Sequence, residues 1–124
     1  MSSERNQWVE AIGKLLTLTQ HRELKWRSND PREPLAVHPG AKVDVVYETE
    51  YKGKMLRLFE SRFRVERGIF SRLDWESEAV LQVADSSGLS AWTFPHSDIT
   101  EHLLAAVRYQ VAEVGHFLEE LLTA

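Results

Sequence analysis

The side chains that come nearest to a catalytic set lie near the end of the chain. At helical spacing, imidazole, carboxylate and phenol groups share one flank of this segment: His102, Tyr109, Glu113, His116 and Glu120. Such a set can pass protons between an acid and a base. A polar flank beside an apolar stripe is, however, the ordinary solvated side of an amphipathic helix. We therefore assign no catalytic residue to this flank.

The sequence holds no other constellation with recognisable chemistry. No two of its five histidines are three or four residues apart, and it has no cysteine, which excludes thiolate metal sites, thiol nucleophiles and disulfides. The six glycines are scattered, so no loop is typical of phosphate binding. Ser86, Ser87 and Gly88 fit a hairpin turn. We predict no catalytic residue, no metal ligand and no cofactor.

Basic residues concentrate between positions 52 and 72, with phenylalanines among them. Arginine interleaved with aromatic rings on a sheet is one way to bind RNA or a single DNA strand. We therefore take Arg57, Arg62 and Arg64 as candidate anion-binding residues. Carboxylates in the same segment and a formal net charge of −4 favour cross-strand ion pairs instead. Nucleic acid is accordingly the least favoured partner.

Four tryptophans are many for 124 residues. Two of them lie in short or charged segments, where an exposed indole is typical of an interface anchor. Together with apolar residues of the closing segment they form the candidate interface: Trp26, Trp75, Tyr109, Phe117 and Leu122. The alternative is that these rings close the ends of a small core.

The elements that position these residues follow from periodicity. A helix is predicted over 4–22, begun by Ser2 or Ser3, with this stripe at spacings of three and four: Trp8, Ile12, Leu15, Leu16 and Thr19. A short extended piece follows over 24–27. Residues 28–41 contain three of the four prolines and are predicted to form a long loop.

Alternating residues over 43–51 predict a strand, and Lys52-Gly53 predicts a tight turn into a second strand over 54–66. In that register Tyr47 faces Leu58 on an apolar side, while Glu48 faces Arg57 on an exposed side. The alternation slips after position 59, so we expect a bulge near 60–61. A charged connection over 67–78 and strands over 79–85 and 89–94 complete a meander.

The closing helix is predicted to begin at Ser97 or Asp98, with Asp98 and Glu101 in a reciprocal capping arrangement. Its apolar residues form one wide arc on a helical wheel: Ile99, Leu103, Val107, Val111, Val114, Phe117, Leu118, Leu121 and Leu122. Gly115 lies toward the edge of the arc, where the absence of a side chain permits close helix–helix contact. The arc is wider than one sheet should cover, which indicates a further contact surface.

Several of these residues also carry a resemblance: Thr19 followed by Leu24-Lys-Trp26, Tyr51-Lys-Gly-Lys54, Leu81-Gln-Val83, and the helix from Ile99 through Gln110 to Leu122. The chain resembles a loose group of small bacterial and phage α+β proteins in which a T-x-x-x-x-L-x-W start precedes a β-meander and a terminal helix. That group carries no assigned activity. The resemblance implies a stand-alone, cytoplasmic accessory protein and transfers no functional residue.

We predict a single α+β domain over 1–124: an N-terminal helix, an antiparallel meander of about four strands and a long C-terminal helix, with both helices on one sheet face. No segment has the apolar length of a membrane span or of a signal peptide, which predicts a cytoplasmic protein.

The predicted function is that of a non-enzymatic interaction module that binds a protein partner or itself, as a homodimer, and no membrane. The alternative is a small anionic-ligand binder or enzyme that uses the cleft between the sheet and the 28–41 loop. A third hypothesis is nucleic-acid binding by the Arg/Phe hairpin.

Overall fold

An N-terminal helix, an antiparallel sheet and two C-terminal helices form the fold. The computed structural model describes residues 4–31, 40–69, 72–85 and 91–124. Within these ranges the elements are α1 (Glu4–Gln20), β1 (Arg27–Asn29), β2 (Val46–Tyr51), β3 (Lys54–Arg67), β4 (Arg72–Ala84), β5 (Ala91–Thr93), α2 (Asp98–Val111) and α3 (Val114–Thr123). The strands are adjacent in chain order, β1-β2-β3-β4-β5. The predicted α+β fold is confirmed, with β1 as an additional strand.

Helix α1 packs through the predicted stripe. Ile12, Leu15 and Thr19 are buried, and Trp8 and Leu16 are partly buried against the same core. The helix ends at Gln20, two residues before the predicted end. Arg22 then adopts a positive φ of 60°, and the Glu23 amide donates to the Leu18 carbonyl, as in a Schellman motif. Arginine at a position that favours glycine hid this helix end from sequence reasoning. The suggested caps, Ser2 and Ser3, lie outside the described residues.

The β2–β3 hairpin has the predicted register. Tyr47 is opposite Leu58 and Glu48 is opposite Arg57. Lys52 and Gly53 both have positive φ, which the tight hairpin turn with matching twist requires. The register was predictable because a two-residue turn fixes the pairing of every later residue.

The β3–β4 hairpin is longer than predicted. The two strands pair in unbroken register from Met55 opposite Ala84 to Arg67 opposite Arg72, so the expected bulge near 60–61 was wrong. Most of the predicted connection over 67–78 is strand. The alternation changes because the sheet is apolar on both faces, and Phe59 is fully buried on the face away from the helices.

Two cores lie on the two sides of the sheet. On one side α1 and α2 share a core with the strands: Ile12, Leu15, Leu18, Leu24, Trp26, Leu56, Leu58, Ala79, Leu81, Leu103, Leu104 and Val107. The other side holds a smaller cluster of Val46, Phe59 and Val80, against which Val43 packs. The interior of the predicted 28–41 loop, and the 86–88 turn with the start of the last predicted strand, lie outside the described residues.

The closing helix is divided in two. Helix α2 begins at Asp98 after Ser97, but the Glu101 carboxylate does not reach back to the cap. It accepts a hydrogen bond from the Ala79 amide of β4 at 2.7 Å instead. The chain then turns at Glu113, whose φ of 54° is left-handed, and α3 follows. The prediction of one continuous helix was wrong here because the apolar period continues across the break.

Candidate functional site

Helix α3 presents an apolar face to solvent. All ten of its residues are described, and none of them is buried. The exposed fractions are 57% for Phe117, 43% for Leu118, 56% for Leu121 and 85% for Leu122. At about 100° per residue these four side chains fall within one continuous arc. Large contiguous apolar patches are uncommon on the surface of soluble proteins. We call these four residues the α3 face.

Carboxylates border the α3 face on both sides. On the helical wheel Glu119 lies next to Leu122, and Glu120 lies next to Phe117. The Glu120 carboxylate is 2.9 Å from the Nε2 atom of His116, one turn earlier. The sequence from Glu113 to the end contains no lysine or arginine. The border of the face is therefore acidic.

The start of α3 lies against side chains from α2 and from the end of α1. A Cβ atom at Gly115 would lie 3.3 Å from the Arg22 guanidinium and 3.6 Å from the Tyr109 hydroxyl. The close contact predicted for Gly115 is therefore made with side chains rather than with a helix backbone. Tyr109 itself is half-exposed, so its ring lies in the surface near the beginning of α3.

A hydrogen-bonded group behind this surface fixes the end of α2. The Gln110 carboxamide accepts from the Trp26 amide at 2.7 Å and donates to the carbonyls of Thr19 and Leu24 at 3.0 and 2.8 Å. The Trp26 indole N–H donates to the Thr19 hydroxyl at 3.0 Å. These contacts give the T-x-x-x-x-L-x-W pattern a structural role. Trp26 is buried, so its proposed place in an interface is corrected to the core.

The outer half of the β3–β4 hairpin forms a second exposed surface. Leu73 and Trp75 are 57% and 48% exposed. The Nζ atom of Lys42 lies 5.2 Å from the centroid of the Trp75 ring, and the Arg64 guanidinium lies 4.8 Å from it. Cations at these distances are attracted to the face of the indole. We call Lys42, Arg62, Arg64, Leu73 and Trp75 the hairpin patch.

The three candidate anion-binding arginines do not converge on one site. Strand alternation places Arg57 on the opposite face of β3 from Arg62 and Arg64. The Arg57 Nε atom is 3.6 Å from the Glu48 carboxylate, and Arg62 pairs with Asp44. The cross-strand pairing expected from the acidic residues is thus present for Arg57. Part of the cleft proposed with the 28–41 loop lies outside the described residues.

Three histidines of the described ranges, His96, His102 and His116, line open grooves. His102 and Tyr109 line a groove of about 630 Å³ between α1 and α2, and His116 lines a neighbouring one of about 470 Å³. His96 binds Glu101 at 2.8 Å, which joins the α2 start to the preceding linker. Within the described ranges, no three histidine or carboxylate side chains cluster as metal ligands would.

Sequence reasoning missed several members of these surfaces. Leu118 and Leu121 were placed in the apolar arc but not in the candidate interface, Lys42 was placed in the alternation of the first strand, and Leu73 in a connection. The available signal for α3 was the width of the apolar arc, which is more than one sheet should cover. For the hairpin patch the alternating apolar residues from Leu73 onward indicated a strand.

Comparison with known proteins adds no family: no protein-family model, no curated protein and no solved structure matches this chain. Among the helices in the described parts of the chain, none combines the length and apolar character needed to cross a membrane.

Proposed function

We propose that the protein is a cytoplasmic, non-enzymatic interaction module that binds a protein partner, a second copy of itself included, through α3. The observation that carries this proposal is a whole helix with four exposed apolar residues and no buried one. Exposing apolar area to water costs free energy, and that free energy is recovered when a partner covers the area. The half-exposed ring of Tyr109 extends this surface onto α2.

The size of the α3 face sets a limit on the affinity it can provide alone. Complete burial of a leucine or phenylalanine side chain contributes roughly 1.5–3 kcal/mol, so the exposed parts of these four side chains offer roughly 4–7 kcal/mol. Association of two proteins costs about 4–15 kcal/mol in lost freedom of motion. The α3 face therefore requires a partner that adds further contacts around it.

The test is a pair of matched α3 variants. Phe117→Ser combined with Leu121→Ser removes the apolar face, whereas His116→Ser combined with Thr123→Ser changes the polar side of the same helix. Self-association is measured by sedimentation velocity from about 1 to 100 µM, because assembly depends on concentration by mass action. Binding of another protein is measured by co-purification from the native cells.

We expect the wild type and the polar-side variant to associate alike and the apolar-face variant to lose association. Circular dichroism should show that all three chains fold, since the substituted side chains are exposed. Equal association of the wild type and the apolar-face variant, in both measurements, would refute the proposal.

A further inference from the structure

We infer that the surface that receives α3 is the hairpin patch of a second copy of this chain, so that two copies exchange these contacts reciprocally. The inference rests on the proposed function and names its partner. Its basis is that one chain exposes two apolar surfaces of opposite charge. One is the α3 face with its acidic border, and the other is the hairpin patch, where Lys42 and Arg64 lie against the Trp75 ring.

The hairpin patch lies beyond the part of the sheet that the helices cover. Glu60 of β3 marks this limit, because its carboxylate is 3.6 Å from Arg108 of α2. Alternation along β3 places Arg62 and Arg64 on the same side as Glu60. Trp75 lies opposite Arg64, so it shares that side. The patch therefore continues the helix-covered face of the sheet, without helices above it.

The charges of the two surfaces are complementary. The α3 face is bordered by Glu119 and Glu120, with Glu113 at the start of the helix. In the hairpin patch, Lys42 and Arg64 lie over the Trp75 ring. On this side Asp44 pairs with Arg62 and Glu60 pairs with Arg108. Glu66, which alternation also places here, offsets one more cation, so one of the three positive charges of the patch stays uncompensated. Opposite charges of this kind favour correct docking.

The same charges disfavour the simplest alternative, in which α3 pairs with α3 of the second copy. That arrangement would place Glu119 and Glu120 of one chain near the same carboxylates of the other, and like charges across an interface oppose association. His116 is the only basic side chain of α3, and it already contacts Glu120. The hairpin patch supplies the cations that α3 lacks.

The spacing of the apolar residues also matches. Phe117 and Leu121 are four residues apart on a helix, a rise of about 6 Å. Leu73 and Trp75 are two residues apart on a strand, which is about 6.7 Å. In a reciprocal pair, α3 of each copy contacts the hairpin patch of the other. The dimer then contains two such contacts, and its contact area is twice that of one α3 face on one patch. Such an exchange closes on itself about a twofold axis.

A charge-reversal experiment tests this inference. The patch variant is Lys42→Glu with Arg64→Glu, the helix variant is Glu119→Lys with Glu120→Lys, and a third chain carries all four substitutions. The controls reverse exposed charges on α1, Lys14→Glu and Glu10→Lys. Self-association is measured by sedimentation, with thermal melts to verify folding.

We expect each double variant to associate at least about tenfold more weakly than the wild type, because like charges then face each other. The fourfold variant should recover most of the loss, since its surfaces are complementary again with the signs exchanged. The α1 controls should resemble the wild type.

Three outcomes would overturn the inference. A patch variant that associates normally, while Phe117→Ser with Leu121→Ser abolishes association, would show that α3 binds another surface and would leave the proposed function standing. Failure of the fourfold variant to recover would refute the charge pairing. A wild type that stays monomeric at about 100 µM would refute the second copy as partner, and co-purification would then decide the proposed function alone.

Discussion

At the scale of residues, Gln110 joins α2 to the segment between α1 and β1. Its carboxamide makes three hydrogen bonds with main-chain groups of Thr19, Leu24 and Trp26. The Leu24 carbonyl and the Trp26 amide lie between the end of α1 and the first strand, outside regular hydrogen-bonding patterns, so they need partners from elsewhere. Gln110 supplies those partners from the last turn of α2, close to the point where α3 begins.

We expect Gln110→Ala to lower the free energy of unfolding by roughly 1–3 kcal/mol, because it leaves partly buried main-chain groups without partners. The matched control is Gln20→Ala, an exposed glutamine at the end of α1, which should change stability by less than about 0.5 kcal/mol. Denaturant melts measure both variants. Equal effects of the two substitutions would contradict the structural role of Gln110.

Two of the four tryptophans differ in burial although their local sequence settings are alike. Trp26 and Trp75 both lie in short or charged segments, and both were proposed as interface anchors. Trp26 is in fact buried, with its indole N–H bonded to Thr19 of the preceding helix and its amide bonded to Gln110 of α2, which is distant in sequence. Trp75 is half-exposed beside Lys42 and Arg64. Their difference depends on tertiary contacts that local sequence does not encode.

At the scale of elements, the face of the β2–β3 hairpin on which a residue lies determines how much its substitution should destabilise the protein. Leu58→Ala should destabilise the protein by about 2–5 kcal/mol, the range for truncating a fully buried leucine. Glu50→Ala, an exposed position on the opposite strand, is the control and should cost less than about 0.5 kcal/mol. Similar losses at the two positions in denaturant melts would mean that the assigned faces are wrong.

The expected loss of stability at Glu48 lies between those at Leu58 and Glu50. The sequence predicts an exposed cross-strand charge, but its side chain is only 16% exposed. Asn29 of β1 donates a hydrogen bond to it, and Arg57 lies on its other side. The added strand β1 therefore covers a residue that the four-strand meander left in solvent. We expect Glu48→Ala to cost about 1–2 kcal/mol, since a carboxylate with two partners loses both.

Elements were predictable where a local rule determines them. The tight turn at Lys52-Gly53 fixed one hairpin, and the 3.6-residue period fixed the face of α1. The bulge prediction failed because it assumed one buried face, whereas β3 buries Leu58 on one face and Phe59 on the other. The break at Glu113 could not be predicted, because neither glycine nor proline stands there and the apolar period runs through it.

At the scale of the whole molecule, the proposed function depends on which apolar surfaces the fold covers and which it leaves exposed. Both helices were predicted on one sheet face, and the shared core of α1 and α2 confirms it. The wide apolar arc of the closing segment was read correctly as more than the sheet needs. The break between α2 and α3 decides which residues of the arc stay uncovered. The position of the α3 face could therefore be found only from the structure.

Whether a partner covers α3 is measured most directly by hydrogen–deuterium exchange over residues 114–123, in the wild-type chain at low and high concentration. An unpartnered helix exchanges its amides quickly, and a covered helix exchanges them slowly. We expect exchange in this segment to slow by at least about tenfold between about 1 and 100 µM, or on addition of a co-purified partner, while α1 is unchanged. If exchange over 114–123 stays equally fast while association protects other segments, the partner does not cover α3 and the proposed function is wrong.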